Sequence, residues 1–396
     1  MIIKPRTRGF ICTTTHPIGC AKQVQNQIDY VSKQPTIHGP KNVLVIGAST
    51  GYGLASRVVA AFGAGANTIG VYRPSAATAT RTASAGWYNS AAFEQAAESA
   101  GLKSYSVTGD AFTDEIKEKT AKVIAEKLGK VDMVIYSVAT ARRTDPRTGE
   151  TFNSTLKPIG QPYTNKTVNF HTGEVSSVTL EPATDQEIND TVAVMGGEDW
   201  KLWIHTLSEA GVIADNAMTI AFSYIGSDIT LPIYRDGTIG QAKDDLERTA
   251  CELDQRLSAN GGHAHVIVSK ALVTQSSSAI PVVPLYMSTL YKVMKAKGIH
   301  EGTIEQMYRL FSERLYGPDV VPVDEEGRIR IDDWEMREDV QVEVTKLWEQ
   351  MDTDNVYDLT DLFGYRQEFF QLFGFEVDGV DYEADVDPAV TVPHVE

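Results

Sequence analysis

Apolar, β-branched runs alternate along this chain with stretches whose apolar positions recur every three or four residues. Asn42 to Gly47 and Asn67 to Tyr72 read as buried strands, as do Lys103 to Val107, Val131 to Ser137, Met218 to Ser223 and His263 to Ser269. Helical periods lie between them, for example Gly53 to Phe62 and Glu115 to Leu128. Strands with no polar face, separated by helices, form a parallel sheet covered on both sides. The pattern predicts an α/β fold, a doubly wound Rossmann-like parallel sheet.

Two stretches depart from this rhythm. Thr144 to Pro182 is rich in turn signals, and the short alternating pieces Lys166 to Phe170 and Val175 to Leu180 flank His171-Thr-Gly-Glu174. Small inserted β-hairpins are expected there. The second departure is the C-terminal region, with helical periods around Val340 to Met351 and Leu359 to Phe373. It should pack on the main body as a helical extension, because Trp334, Trp348, Phe363 and Phe369 need a surface to bury against. No repeat or linker divides the chain, so one large domain over 1–396 is expected. Within it we distinguish an N-terminal segment (1–40), a cofactor-binding half (41–140) and a hairpin insertion (141–185). A catalytic half with acyl-pocket helices (186–318) and an acidic extension (319–396) follow.

Charge changes this picture in one respect. The formal charge is -17, yet Asp319 to Glu396 alone holds 23 Asp/Glu and 5 Lys/Arg, a net of -18. The remaining residues are balanced, at 31 Lys/Arg to 30 Asp/Glu. Without a basic stripe the chain should hold neither nucleic acid nor an anionic membrane surface. No apolar run is long enough to span a bilayer, and the N-terminus lacks a signal-peptide apolar core. Three cysteines, Cys12, Cys20 and Cys251, show no C-x-x-C spacing, so a cytoplasmic protein without disulfides is expected. The acidic extension is expected to stay away from any anionic ligand.

The first strand runs into Gly47-Ala-Ser-Thr-Gly51-Tyr-Gly53, a G-x3-G-x-G that opens a helix. Glycines serve where a backbone turns sharply and approaches a pyrophosphate, and the helix N-terminus then faces the phosphates. At the end of the second strand, where an acid would read an adenosine ribose, the sequence is Val71-Tyr-Arg73-Pro74-Ser75. Arg73, assisted by Ser75 and Arg81, suits a 2′-phosphate. Lys243 lies in the first turns of an amphipathic helix, nine residues after Tyr234. A phenol near a nicotinamide becomes a usable proton donor when a cation lowers its pKa from about 10. A second pair, Tyr291 and Lys295, has the Y-x3-K spacing of ordinary short-chain dehydrogenases. It sits in an apolar helical run and reads as structural, with a face that shapes an acyl pocket. The histidines form no metal-binding pattern, and no metal is expected.

Several motifs together carry a resemblance. They include Lys4-Pro-Arg, His16-Pro-x-Gly-Cys20, the Gly47 to Gly53 loop, Gly86-Trp-Tyr-Asn89, Gly109-Asp-Ala-Phe112 and Met195-Gly-Gly-Glu-Asp-Trp200. Ser223-Tyr-Ile-Gly226, Gly237-Thr-Ile-Gly240, Ile280-Pro-Val-Val-Pro-Leu285 and Arg328-Ile-Arg-Ile-Asp-Asp-Trp334 continue it nearly end to end. The chain resembles the FabV / trans-2-enoyl-CoA reductase family of NAD(P)H-dependent enoyl thioester reductases, larger relatives of short-chain dehydrogenases. The resemblance implies Tyr234 and Lys243 as catalytic residues in a Y-x8-K, and Tyr224 as a substrate contact. It implies cofactor binding by Gly47, Ala48, Ser49, Thr50, Gly51 and Tyr52, by Asp110 and Ala111 at the adenine, and by Val138 and Ala139 at the nicotinamide ribose. Leu272, Val273 and Thr274 would complete that site. Where the family usually has Glu this chain has Pro74, so the family's NADH preference is expected to give way toward NADPH, the direction Arg73 also suggests. The implied substrate is an enoyl-CoA or enoyl-ACP, and a monomer is expected. Two rivals remain open: a 3-oxoacyl carbonyl reductase using Tyr291 and Lys295, and a noncatalytic NADP-binding regulator.

Overall fold

The computed structural model describes all residues except Phe10, Pro74, Pro318 and Asp319. At its centre seven strands form one parallel sheet. From one edge the order is Ile329–Arg330, His263–Val268, Ile213–Ser223, Val131–Tyr136, Asn42–Ile46, Asn67–Tyr72 and Ser104–Thr108. The chain starts in the middle, winds to one edge, returns and winds to the other. That is the doubly wound order, and its reversal lies between Asn42–Ile46 and Val131–Tyr136, where ligands of such folds bind.

The apolar runs are explained by two-sided burial. Val43 and Val45 face one core with Met133, Ile135, Ile220 and Ile267. Leu44 and Ile46 face the opposite core with Val71, Val134, Trp200 and Trp203. Alternate residues of one strand therefore enter different cores, as strand geometry requires. Helices Gly51–Val58 and Asp114–Lys127 occupy the stretches read as helical. The inserted hairpin pairs Tyr163–Asn169 with Glu174–Leu180, and a smaller one pairs Arg142–Thr144 with Thr151–Asn153.

The acidic extension is woven into the body. Its helices Glu338–Gln350 and Leu362–Gln371 share a third core with the helix Val283–Ala296 and the inserted hairpin. Three differences from the sequence reading appear. Ile329–Arg330 is a strand that pairs with Ile267 and Val268, too short to announce itself by alternation. Phe363 is exposed and stacks on Tyr357 with ring centroids 4.9 Å apart, whereas Trp348 and Phe369 are buried as expected. Finally, the chain end crosses the molecule: Val395 bridges Ser106 on the far sheet edge, and His394 donates its amide to Glu94 Oε2 at 2.8 Å. The extension thus covers both edges of the sheet, which would otherwise offer unpaired backbone groups.

Candidate active site

The glycine loop is fixed by steric limits on both sides. Gly47 has φ +85°, and a Cβ there would lie 2.0 Å from the Ser137 carbonyl oxygen. A Cβ on Gly53 would lie 2.1 Å from the Gly47 carbonyl oxygen. Only a backbone without side chains can fold this tightly against the neighbouring strand end. The distant Gly86-Trp-Tyr-Asn89 motif serves the same loop. Gly86 clears the Ser49 hydroxyl, which a Cβ would meet at 2.6 Å, and Asn89 Nδ2 donates to the Ser49 carbonyl at 3.1 Å. The helix then starts at Gly51 with Thr50 before it, and no side chain caps it. Its first N–H groups, which have no intrahelical acceptors, are left to a ligand.

This loop opens on a cavity of about 700 Å³ lined by Gly47, Ser49, Thr50, Gly51 and Tyr52. Arg73, Asp110, Ala111, Val138, Ala139, Val273 and Thr274 also line it. Ala48 lies apart. Its amide donates to the Val71 carbonyl at 3.1 Å and its side chain is buried in a core, so it shapes the turn rather than the cavity wall. Arg73 is 81% exposed at the rim, 3.9 Å from Asp110 Oδ2. The expectation at Pro74 lies outside the described residues. The acidic extension was expected to keep clear, yet Glu368, Gln371 and Leu372 belong to the wall of this cavity. Helix Leu362–Gln371 packs beside the N-terminal helix Pro17–Ser32 and so reaches it.

A second cavity, about 1000 Å³, adjoins the first and shares Tyr52, Ser137, Val138, Ala139 and Thr274 with it. Its wall carries Tyr224, Tyr234, Lys243 and Leu272, with apolar Leu156, Met195, Ile239, Ile280 and Met287. Tyr234 ends a short turn, Leu231–Ile233, anchored by the fully buried Ile233. Helix Thr238–Ser258 starts immediately afterwards. Gly240 permits the close start, since a Cβ there would lie 1.9 Å from the Arg235 carbonyl oxygen. Lys243 Nζ donates to the Phe222 carbonyl at 2.9 Å. Burial pushes its pKa down to about 8, opposed by the Glu247 carboxylate. Tyr234 is raised above its ordinary value, chiefly by burial. Its ring meets Tyr224 edge-on at 4.7 Å between centroids. Among the described residues, its hydroxyl makes no hydrogen bond.

Tyr291 and Lys295 are not part of this arrangement. Tyr291 is fully buried and its hydroxyl accepts from the Val273 amide at 3.3 Å. Lys295 pairs with Asp361 at 2.6 Å. Their helix contributes Met287 to the second cavity. Two charged residues beside the site escaped the sequence reading. Lys270, fully buried at the end of strand His263–Val268, lines the second cavity, and Glu335 accepts from the Tyr224 hydroxyl at 3.1 Å. A lysine two residues beyond the apolar end of a strand, Val266 to Val268, and a glutamate directly after the Arg328 to Trp334 motif, were the available signals. Among the described residues, no group of three or more His, Cys, Asp or Glu could hold a metal.

Three family models match the chain: the NAD(P)H binding domain of trans-2-enoyl-CoA reductase over 2–79, the trans-2-enoyl-CoA reductase catalytic region over 81–316, and an enoyl reductase FAD binding domain over 323–386. A trans-2-enoyl-CoA reductase (NADH) of Ruminiclostridium cellulolyticum is 59% identical, over 99% of this chain and 99% of the relative. An enoyl-(acyl-carrier-protein) reductase (NADH) of Coxiella burnetii is also 59% identical, over 100% of this chain and 98% of its own. The crystal structure of the Clostridium acetobutulicum trans-2-enoyl-CoA reductase in complex with NADH superposes with a TM-score of 0.97. It is 44% identical and covers 99% of this chain and 100% of that one.

The residues present fit a nicotinamide dinucleotide: a glycine cradle that a Cβ would fill, an uncapped helix N-terminus, and a cavity of suitable size. They do not fit a flavin in 323–386. The described residues of that segment include no glycine-rich turn between a strand and a helix. Its arginines are spent on carboxylates, Arg328 on Asp324, Arg330 on Asp332, Arg337 on Asp339 and Arg366 on Glu376. What the segment adds is a wall to the dinucleotide cavity and a lid on the core behind it. The chain belongs to the trans-2-enoyl-CoA reductase family.

Proposed function

We propose that this protein reduces trans-2-enoyl thioesters to saturated acyl thioesters, with Tyr234 as proton donor. The observation that carries this reading is the free Tyr234 hydroxyl in a largely apolar cavity that shares Tyr52, Val138, Ala139 and Thr274 with the dinucleotide cavity. A phenol there faces both an acyl chain and a nicotinamide. Crotonyl-CoA is expected to consume NADH and acetoacetyl-CoA is not. The reverse outcome would favour carbonyl reduction.

NADH, when bound against the glycine loop, would supply the hydride that reaches the β-carbon of the enoyl group. Negative charge then develops on the thioester oxygen, and Tyr234 presents its O–H to that oxygen, where the interaction lowers the barrier. Lys243 lines the same cavity and, when charged, eases loss of the phenolic proton and can hold a ribose hydroxyl. Tyr52 closes the boundary between the two cavities. It stacks on Phe222 with centroids 5.0 Å apart, and its hydroxyl donates to the Lys270 carbonyl at 3.1 Å. The sign of a pH effect follows. Below about 8 Lys243 is an ammonium, and above it a neutral amine that no longer favours tyrosinate character. Turnover should therefore fall as pH rises through that region. The residual activity of Lys243→Arg, charged at every accessible pH, should lack this limb. Identical profiles in the two proteins would sink the assignment.

For the cofactor, NADH with tolerance of NADPH is the reading we favour. Arg73 is exposed and only loosely associated with Asp110, so it is available to a 2′-phosphate, while the Asp110 carboxylate opposes one. Arg73→Ala should lower kcat/KM with NADPH about tenfold, the worth of one charge-assisted contact, and leave NADH within twofold. Equal loss with both would refute the 2′-phosphate role. The family resemblance assigns Asp110 and Ala111, which line the first cavity, to the adenine, and Leu272, which lines the second, to the completion of the cofactor site. An enoyl-CoA or enoyl-ACP is the partner. Free cysteines throughout the described chain favour a reducing, cytoplasmic setting. Among the described residues no helix is long and apolar enough to cross a membrane. We assign a monomer, which light scattering would check.

A further inference from the structure

Glu335 lies outside the glycine loop, the Tyr234–Lys243 pair and the acyl cavity wall, yet it bonds Tyr224 on that wall and the turn that carries Leu272 to Thr274. It is fully buried. Its Oε1 accepts from the Tyr286 hydroxyl at 2.6 Å and from the Tyr224 hydroxyl at 3.1 Å. Its Oε2 accepts from the Ala271 amide at 2.6 Å, at the start of the turn that carries Leu272, Val273 and Thr274. The direction of these bonds is fixed from outside. Gln341 Nε2 donates both to the Glu335 backbone carbonyl at 2.7 Å and to the Tyr286 hydroxyl oxygen at 3.2 Å. Tyr286 must then spend its own proton on the carboxylate. Three donors converge on two carboxylate oxygens, the pattern of an ionised group. Burial pushes the Glu335 pKa up, while Tyr286, the Ala271 amide and Lys270 pull it down and Asp332 adds to the rise.

A phenol has one proton. Because Tyr224 gives its proton to Glu335, it turns only lone pairs toward the cavity. Tyr234, whose hydroxyl has no hydrogen-bond partner among the described residues, is then the phenol with a proton to offer. We propose that Glu335 is a positioning residue that sets the polarity of Tyr224, withholding a second proton from the thioester oxygen so that this oxygen meets Tyr234 alone. Burial and the Glu335 charge both raise the Tyr224 pKa, which keeps that proton in place. The inference rests on the reading of this cavity as the enoyl thioester site.

Glu335→Gln is isosteric and reverses the bond. Its amide oxygen can still accept from Ala271, while its NH₂ donates to the Tyr224 and Tyr286 oxygens. Tyr224 is then free to point its proton into the cavity. The Tyr224 proton then adds binding to the ground-state thioester and draws its oxygen away from Tyr234, the donor placed for the transition state, so it lowers KM and does not raise kcat. The expected result with crotonyl-CoA is that KM and kcat both fall, each about fivefold, the worth of one neutral hydrogen bond. NADH affinity and thermal midpoint should match wild type. In a Tyr224→Phe background, with no hydroxyl to reverse, the same substitution should change either parameter less than twofold. An unchanged KM and kcat, a raised KM, or the same effect in the Tyr224→Phe background would overturn the proposal. An unfolded Glu335→Gln would do so equally, since it would make the buried charge a requirement of the fold. If wild type itself fails to reduce crotonyl-CoA, the reading of the site has failed first, and the comparison is not reached.

Discussion

Tyr234→Phe is expected to lower kcat for crotonyl-CoA by about 10²- to 10⁴-fold, the range for loss of a positioned proton donor. Little else should change. The Tyr234 hydroxyl makes no hydrogen bond among the described residues, and the ring, 7% exposed and edge-on to Tyr224, is retained. The thermal midpoint and NADH affinity should therefore stay at wild-type values. Stopped-flow reduction and a fluorescence titration of NADH separate the two quantities. A noncatalytic NADP-binding regulator predicts no change in any of them, so loss of turnover with binding intact eliminates that rival. Loss of both together would mean that Tyr234 holds the cavity open rather than acting on the substrate.

Gly53→Ala should abolish NADH binding and destabilise the fold by on the order of 3 kcal/mol. Gly53 has an ordinary backbone conformation, so the effect is steric: the new methyl would lie 2.1 Å from the Gly47 carbonyl oxygen. That oxygen is part of a turn already pressed on Ser137, so neither side can yield without displacing the phosphate cradle. Gly129 provides the control. Its φ is +77° with nothing within 4 Å of a Cβ, so Gly129→Ala tests conformational strain alone and should cost about 1 kcal/mol without touching NADH affinity. Calorimetric titration and thermal melts on both variants give the comparison. Retained NADH affinity in Gly53→Ala would remove the glycine loop from the cofactor site.

The parts of the fold written in strong local patterns were legible. Val43 to Ile46 carry apolar residues on both faces, and both faces are buried. The Gly47 to Gly53 loop needs glycine for reasons visible in the turn itself. Tyr234 and Lys243 came from the family resemblance, since nine residues spanning a turn and a helix start have no periodicity to reveal them. What escaped was long-range. Glu335 is one charge among 23 acidic residues after position 318, and only the packing of Tyr224, Tyr286 and Ala271 around it sets it apart. The strand Ile329–Arg330 has two residues and forms because a neighbouring edge awaits it. The acidic extension packs on the body as its apolar positions foretold, with Val340, Val344 and Phe369 in the core. Its charge suggested distance from any anionic ligand, and there the packing decides otherwise, carrying Glu368 to the cavity wall.

The central claim is hydride delivery to the β-carbon of an enoyl thioester beside Tyr234. Its most direct test is mass spectrometry and NMR of the product formed from crotonyl-CoA and NADH deuterated at C4 of the nicotinamide, in ordinary water. Butyryl-CoA with deuterium at the β-carbon and a solvent proton at the α-carbon is expected, formed by wild type and about 10²- to 10⁴-fold more slowly by Tyr234→Phe. Deuterium at the α-carbon, or deuterium appearing only in 3-hydroxybutyryl-CoA when acetoacetyl-CoA is supplied, would contradict it.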